Sequence, residues 1–284
     1  MMNRQKSFQN ELPTLYLVAT PIGNLDEMTP RAIEILNLVD IIAVEDTRNT
    51  IKLLTHFGIK TRMIAHHLHN EKQSTVGLLQ LLQDGMSVAL VSDAGYPLIS
   101  DPGELLVKTI TDAGFNVVPV SGSSPMLCAL VASGLPVKPF TFMGFLDINE
   151  KDSKYQLESV KDLKHTLVFY EAPHRVFKTL SKMLSILGDR NVCLAREITK
   201  KYEEFIRGKI SELLTLDEVL KGEIVLIVEG AGEDKKPDVT LYQIKEMIEN
   251  CIASGMSASM AIKTVSQETG IAKNEVYRSY HQRS

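Results

Sequence analysis

Cysteine is scarce: the 284 residues hold only Cys128, Cys193 and Cys251, far apart and in no CxxC pattern. That argues against a disulfide framework or a thiolate metal site. Cys128 and Cys193 lie in apolar runs and read as small core residues of a reducing compartment. Long apolar runs are missing as well, and none approaches the ~20 residues needed to span a bilayer. The polar first dozen residues, Met1 to Leu12, lack the apolar core of a signal peptide, so the expected location is the cytoplasm, with no membrane partner. Nor is there an excess of positive charge: 31 Lys and Arg face 35 Asp and Glu, for a net charge of -4. A protein held on nucleic acid by a global positive field is disfavoured, although a local basic patch facing a structured RNA is not. No Walker motif, GxGxxG fingerprint or HExxH spacing occurs.

The hydrophobic content of 44% and charged content of 23% are ordinary for a soluble globular protein. The length exceeds what one core usually organises, so two domains and a small appendage are expected. In the first block, apolar runs alternate with amphipathic helical stretches. Strands are predicted at 15–19, 41–44, 63–65, 88–91 and 117–120, and helices at 29–38, 48–57, 71–83 and 104–113. Runs that are apolar throughout and joined by helices suit a parallel sheet covered on both faces. A bridging helix at 125–133 leads to a second block with strands near 141–144, 166–170, 192–195, 204–207 and 224–228. Helices are predicted there near 154–163 and 176–187. The late strands lie close together, which predicts a mixed sheet with antiparallel hairpins. Residues 230–237 (GAGEDKKP) read as a linker. The rest reads as three helices, near 239–253, 257–268 and 273–280, the last two resembling a helix-turn-helix around Gly270. The expected domains are 1–122, 123–235 and 236–284.

Three turns of the first block leave a predicted strand and enter a helix: Ala19 to Leu25 (ATPIGNL), Val91 to Gly103 (VSDAGYPLISDPG) and Val120 to Pro125 (VSGSSP). Glycine and proline there let backbone approach a ligand without side-chain obstruction. Turns at the carboxyl ends of strands in an open α/β sheet converge on one crevice, which suits a ligand gripped largely by backbone. Between them, Glu45, Asp46 and Arg48 end a strand, either as helix caps or facing the crevice. His66, His67 and His69 with Asn70 and Glu71 follow another strand and read as a polar substrate-facing loop. A zinc reading of His66, His69 and Glu71 lacks supporting spacing, and no metal is expected. In the second block Arg175, Arg196, Lys200 and Lys201 sit at strand ends and are candidates to face phosphates, against ordinary surface solvation.

These segments together resemble the tetrapyrrole methylase superfamily and, within it, the 16S ribosomal RNA cytidine 2'-O-methyltransferase family. The resemblance rests on LYLVATPIGNL (Leu15 to Leu25), AVEDTR (Ala43 to Arg48), ALVSDAGYPLISDPG (Ala89 to Gly103), ALVASGLP (Ala129 to Pro136), FYEAPHR (Phe169 to Arg175), AREITK (Ala195 to Lys200) and GEIVLIVEG (Gly222 to Gly230). It implies two α/β domains with S-adenosylmethionine in the cleft between them, and a homodimer. It also implies methylation of a ribose 2'-hydroxyl of a decoding-centre cytidine in 16S rRNA within the small ribosomal subunit. Carried onto this sequence, the cofactor contacts are Pro21, Ile22, Gly23, Asp93, Ala94, Gly95, Tyr96, Ser124 and Pro125. Ala172 and the Val228-Glu229-Gly230 segment are expected to close the pocket from the second domain. His69, Arg175, Arg196 and Lys200 are the candidate substrate contacts. The chain departs from the family pattern at Tyr96, where a smaller residue is usual. It departs again after Leu146, where Asp147-Ile148-Asn149-Glu150 replaces a proline and a basic run.

Methyl transfer from a sulfonium is an in-line displacement that gains from alignment and exclusion of water. A carboxylate against the sulfur favours the ground state over the transition state, which assigns Asp93 to positioning. The ribose hydroxyl needs a proton acceptor. Asp46 and Glu45 are the candidates, with Arg48 as an orienting or phosphate-holding partner. Two other readings compete: methylation of a precorrin-like macrocycle, and a ligand-sensing helix-turn-helix regulator. AVEDTR and FYEAPHR favour RNA over the macrocycle, and the acidic balance disfavours the regulator.

Overall fold

The structure, a computed structural model, describes residues 4–217, 219–232 and 241–281. The chain forms two compact units, one through Ala231 and one from Gly232 onward. The first unit begins β1 (Thr14–Val18), α1 (Pro30–Leu38), β2 (Ile41–Val44), α2 (Thr47–His56), β3 (Arg62–Ala65), α3 (Glu71–Gln83), β4 (Val88–Val91), α4 (Glu104–Asp112) and β5 (Asn116–Val120). It continues α5 (Pro125–Ala132), β6 (Phe140–Phe145), α6 (Glu150–Val160), β7 (Thr166–Glu171), α7 (Val176–Leu187), β8 (Asn191–Arg196), β9 (Glu204–Lys209), α8 (Ile210–Leu213) and β10 (Ile224–Val228).

The first five strands make one parallel sheet in the order β3-β2-β4-β1-β5. Strands β2 and β4 are buried at every residue, which is why IIAV and VALV carry no polar side chain. The edge strand β3 (RMIA) begins with an exposed arginine. Local signals set the helix starts: Thr29 caps α1 by accepting from the Ala32 N–H, with Pro30 at the first helical position.

The other five strands form a second sheet, β6-β7-β10-β8-β9. Strand β6 runs parallel to β7, whereas β10 is antiparallel to both β7 and β8, and β9 to β8. The sheet is mixed, as the crowding of its late strands predicts. Helix α7 buries Val176, Thr179, Leu180, Met183 and Leu187, a spacing of three and four residues that lines one face. The short helix α8 had no counterpart in the sequence reading. A core of Ile22, Ala129, Leu130, Val168, Cys193, Ala195, Ile198, Val225 and Ile227 joins the first turn, α5 and the second sheet. Cys193 is buried there, as its apolar run implies.

The second unit holds α9 (Leu241–Ala253), α10 (Ala258–Thr269) and α11 (Lys273–His281) around its own core of Ile244, Ile248, Ala261, Ile262, Val265 and Val276. Ser257 caps α10, and Gly270 ends it in the left-handed region at φ 66°. The expected start of the first helix at Val239, most of the 230–237 linker and the expected boundary at 235 lie outside the described residues. Among the described residues no helix is long and apolar enough to cross a membrane.

Candidate active site

Because β1 lies between β4 and β5, the turns that follow these three strands emerge side by side. They are tied by their own backbone. Thr20 N–H donates to Gly95 C=O at 2.9 Å and Gly95 N–H donates back to Thr20 C=O at 3.0 Å. The Thr20 hydroxyl donates to Ser92 C=O at 3.1 Å, and Gly122 N–H donates to the Tyr96 hydroxyl at 3.2 Å. Gly95 has φ 80°, and Gly122 lies so close to the first turn that a Cβ on it would sit 2.8 Å from the Ala19 Cβ. These glycines let three turns share one small volume.

A cavity of about 380 Å³ opens there between the two sheets, within the range of small-ligand sites. Asp93, Ala94, Tyr96, Ser124 and Pro125 line it from the first sheet, and Tyr170, Glu171 and Ala172 from the end of β7. The stretch Ile99 to Asp101 and the entry to β10, Gly222 to Val225, complete the wall. Two further cavities adjoin. One of about 230 Å³ is bounded by Pro21, Gly23, Asn49 and Lys52. One of about 460 Å³ is bounded by Glu45, Asp46, Arg48 and His67. Asp93 lines all three, and its carboxylate accepts from Asn49 Nδ2 at 2.8 Å.

Of the expected cofactor residues, Asp93, Ala94, Tyr96, Ser124, Pro125 and Ala172 thus share one cavity, with Gly95 in the bridge beneath it. Pro21 and Gly23 border the neighbouring one, and Ile22 is buried in the core that joins the turn to the second sheet. Val228, Glu229 and Gly230 are elsewhere. Strand β10 runs antiparallel to β7, pairing Ile224 with Glu171 and Val228 with Leu167. The start of β10 therefore meets the cavity, while Val228 lies four residues away, about 13 Å along the strand. There Val228 is a core residue, Glu229 accepts from Asn191 Nδ2 at 2.7 Å, and Gly230 makes room for the Lys164 backbone. On that side of the cavity the wall is Gly222 to Val225.

The acidic groups divide by environment. Asp46 is the N-cap of α2, accepting from the Arg48 N–H at 2.8 Å, and its carboxylate pairs with the Arg48 guanidinium at 2.6 Å. Those bonds hold its pKa down to about 2. Glu45 is shifted upward, first by burial and then by the charges of Asp93 and Asp46. Asp101, which the sequence reading passed over, is pushed up to about 6 by burial and then by Glu45, against a hydrogen bond from Ser92. Burial also pushes the Tyr170 phenol up to about 12. Glu171, 3% exposed, accepts from the Ala172 N–H at 2.8 Å and from the Thr179 hydroxyl.

The expected substrate contacts are mostly engaged inside the protein. Arg175 donates to Leu146 C=O at 2.8 Å and stands 3.5 Å from Glu171. Arg196 pairs with Glu204 on the adjacent strand. His69 is exposed on the loop, and it is His67 that lines a cavity. Lys200 reaches the first turn: its stem covers Gly23, while Nζ lies 3.0 Å from Glu197 and 3.2 Å from Glu223. Its loop is strained, with Glu197 at φ 52° and Thr199 at φ 68°, the latter a β-branched residue in the left-handed region. The turn before α4 carries Leu98 at φ 74° and Ser100 at φ 70°. Such outliers gather where the surrounding fold imposes a geometry, often at functional sites.

The family model for Tetrapyrrole (Corrin/Porphyrin) Methylases matches residues 14–214. The Ribosomal RNA small subunit methyltransferase I of Bacillus subtilis (strain 168) is 45% identical over 289 residues, covering 99% of each chain. The protein of the same name from Halalkalibacterium halodurans is 46% identical over 288 residues, covering 99% of this chain and 100% of that one. Among solved structures, diphthine synthase has a TM-score of 0.61 at 10% identity, over 76% of this chain and 89% of that one. The methyltransferase CobJ has a TM-score of 0.59 at 18% identity, over 78% and 95%. These two share the fold. With the family model running from β1 through α8 and the relatives matching end to end, the chain belongs to the tetrapyrrole methylase family and, within it, to the ribosomal RNA small subunit methyltransferase I group.

Proposed function

We propose that this chain is an S-adenosylmethionine-dependent methyltransferase that acts on the 2'-hydroxyl of a cytidine in 16S rRNA of the small ribosomal subunit. It would work in the cytoplasm as a homodimer. The observation that carries the reading is the cavity between the sheets, apolar in most of its wall yet flanked by the carboxylates of Asp93 and Asp101. That donor set fits a cationic ligand with a planar apolar part better than a phosphate, which carboxylates repel. The cofactor, when bound, supplies an electrophilic methyl group.

Asp93, Ala94, Tyr96, Ser124, Pro125 and Ala172 would hold it, with Gly222 to Val225 closing the second-sheet side. Asp93 also faces the two neighbouring cavities, which makes it a positioning group between donor and acceptor. The target nucleotide would enter where Glu45, Asp46 and Arg48 form a wall, with Lys52 and Lys200 at the Gly23 border. Arg48 is 87% exposed at its side chain and aligned by Asp46, an arrangement suited to meeting a phosphate. Asp46, already capping α2 and paired, serves this alignment.

The test is label transfer. Small subunits from cells lacking the protein are incubated with it and radiolabelled S-adenosylmethionine, and the RNA is digested to nucleosides. Label in 2'-O-methylcytidine is the expected result. Label in a base, or transfer to a precorrin but not to the subunit, would overturn the assignment.

A further inference from the structure

We infer that Asp101 is the group that takes the proton from the target hydroxyl during methyl transfer, an inference that rests on the methyltransferase reading above. Three observations on geometry lead to it. Asp101 lines the same cavity as Asp93 and Ser124, so it faces whatever that cavity holds. The turn that presents it is bent by left-handed Leu98 and Ser100, and Gly144 of β6 leaves room for it, since a Cβ there would sit 3.2 Å from Ser100 Oγ. Pro102 and Gly103 then lock the exit, the Gly103 N–H donating to Glu71 Oε1 at 2.9 Å.

The other acidic groups are otherwise committed. Asp46 is bound to Arg48, and Asp93 accepts from Asn49. Glu171 is saturated by Ala172, Thr179 and Arg175, and Glu223 pairs with Lys200. Glu45 belongs to the neighbouring cavity. Among the described residues no cation pairs with Asp101. The charged and titratable groups around it are Glu45 after β2, Asp93 and Tyr96 in the turn after β4, Tyr170 and Glu171 on β7, and Glu223 at the entry to β10. Only the Ser92 hydrogen bond favours its ionised form, and the balance leaves its pKa at about 6. A general base serves best when its pKa lies close to the working pH.

The charges explain why a carboxylate suits this place. As the oxygen–carbon bond forms and the carbon–sulfur bond breaks, the electron pair stays on sulfur and the hydroxyl proton passes to Asp101. Before transfer a sulfonium faces a carboxylate, and afterwards a thioether faces a carboxylic acid. One positive and one negative charge disappear together, so the step leaves the net charge of the cavity unchanged. The positive charge keeps Asp101 ionised beforehand, and its loss makes the carboxylate more basic as the proton arrives.

The same coupling gives a readout that does not depend on turnover. S-adenosylmethionine and S-adenosylhomocysteine differ at sulfur by the methyl group and one charge, so the ratio of their affinities reports the ionisation of nearby groups. Calorimetry on the full-length protein between pH 5 and 8 should show this ratio rising in favour of S-adenosylmethionine with a midpoint near 6. Asp101→Asn should flatten the profile. Ser92→Ala, which removes the opposing hydrogen bond, should move the midpoint upward and serves if Asp101→Asn folds poorly. On small subunits, Asp101→Asn should methylate about 100-fold more slowly, with its affinity for S-adenosylhomocysteine kept within about threefold. A flat wild-type ratio, or an Asp101→Asn rate close to wild type, overturns the proposal. A wild-type protein that binds the cofactor but methylates no small subunit overturns the functional reading as well.

Discussion

Between about pH 4 and 6 the folded protein holds a proton on Asp101 that the unfolded chain releases, because its carboxyl rises from 3.8 to about 6 on folding. A raised carboxyl stabilises the fold fully below the unfolded value, and that contribution disappears as pH rises through the folded one. A shift of this size would be worth ~3 kcal/mol in a dry site, and roughly 1 kcal/mol once the partial exposure of the group is allowed for. Asp101→Asn carries no charge to bury. The variant should therefore melt roughly 2–4 °C higher than wild type at pH 7.5 and no higher at pH 4. Thermal scans at both values check this, and an equal difference at both would mean that burial of the charge is not its source. A residue that costs stability near neutral pH while lining a cavity is what a working group looks like. Asp93 was legible in the sequence because it sits two residues past the end of β4, in the turn Ser92-Asp93-Ala94-Gly95. Asp101 was not, because its place depends on left-handed Leu98 and Ser100, a conformation that non-glycine residues adopt under tertiary constraint. Asp46 was legible in both its roles: it caps α2 by accepting from the Arg48 N–H, and it lines a cavity as well.

At the scale of elements, the bounds of α3, α7, β4 and β10 follow the apolar periodicity residue for residue, because each buries one face or both. Strand direction does not follow. The run IVLIV reads alike from either end, so nothing in it announces that β10 enters the second sheet antiparallel. Its later end packs into the core of the second sheet, and its beginning lines the cavity. Gly230 marks the difference. A Cβ there would lie 2.4 Å from the Lys164 carbonyl carbon, and that backbone is fixed because Ala231 N–H donates to Leu163 C=O at 2.7 Å. Gly230→Ala should destabilise the first unit by roughly 1–3 kcal/mol through overpacking, with no specific loss of cofactor affinity. Urea unfolding and calorimetry on the same preparation separate these effects. Weaker cofactor binding at unchanged stability would return the end of β10 to the site.

The proposed homodimer is an inference at the scale of the whole molecule, and α5 gives it a physical basis. Its sequence, PMLCALVA, contains no polar side chain, and a helix apolar all round is expected to be covered all round. Its own Ala129 and Leu130 are buried, yet Leu127 and Val131, one turn apart, are 45% and 71% exposed. Val137 and Phe140, which follow toward the edge strand β6, are exposed too. An apolar helix face left open is the kind of surface that soluble proteins bury against a partner, and a second copy presents the same surface in return. Sedimentation equilibrium at micromolar concentration should give a mass near twice 31.6 kDa. Changing Leu127 and Val131 together to glutamate should give the monomer with its circular dichroism unchanged, since neither side chain supports the core below. A wild-type monomer at those concentrations would remove the dimer. A variant that stays dimeric would move the interface off α5 and leave its exposed face to another partner.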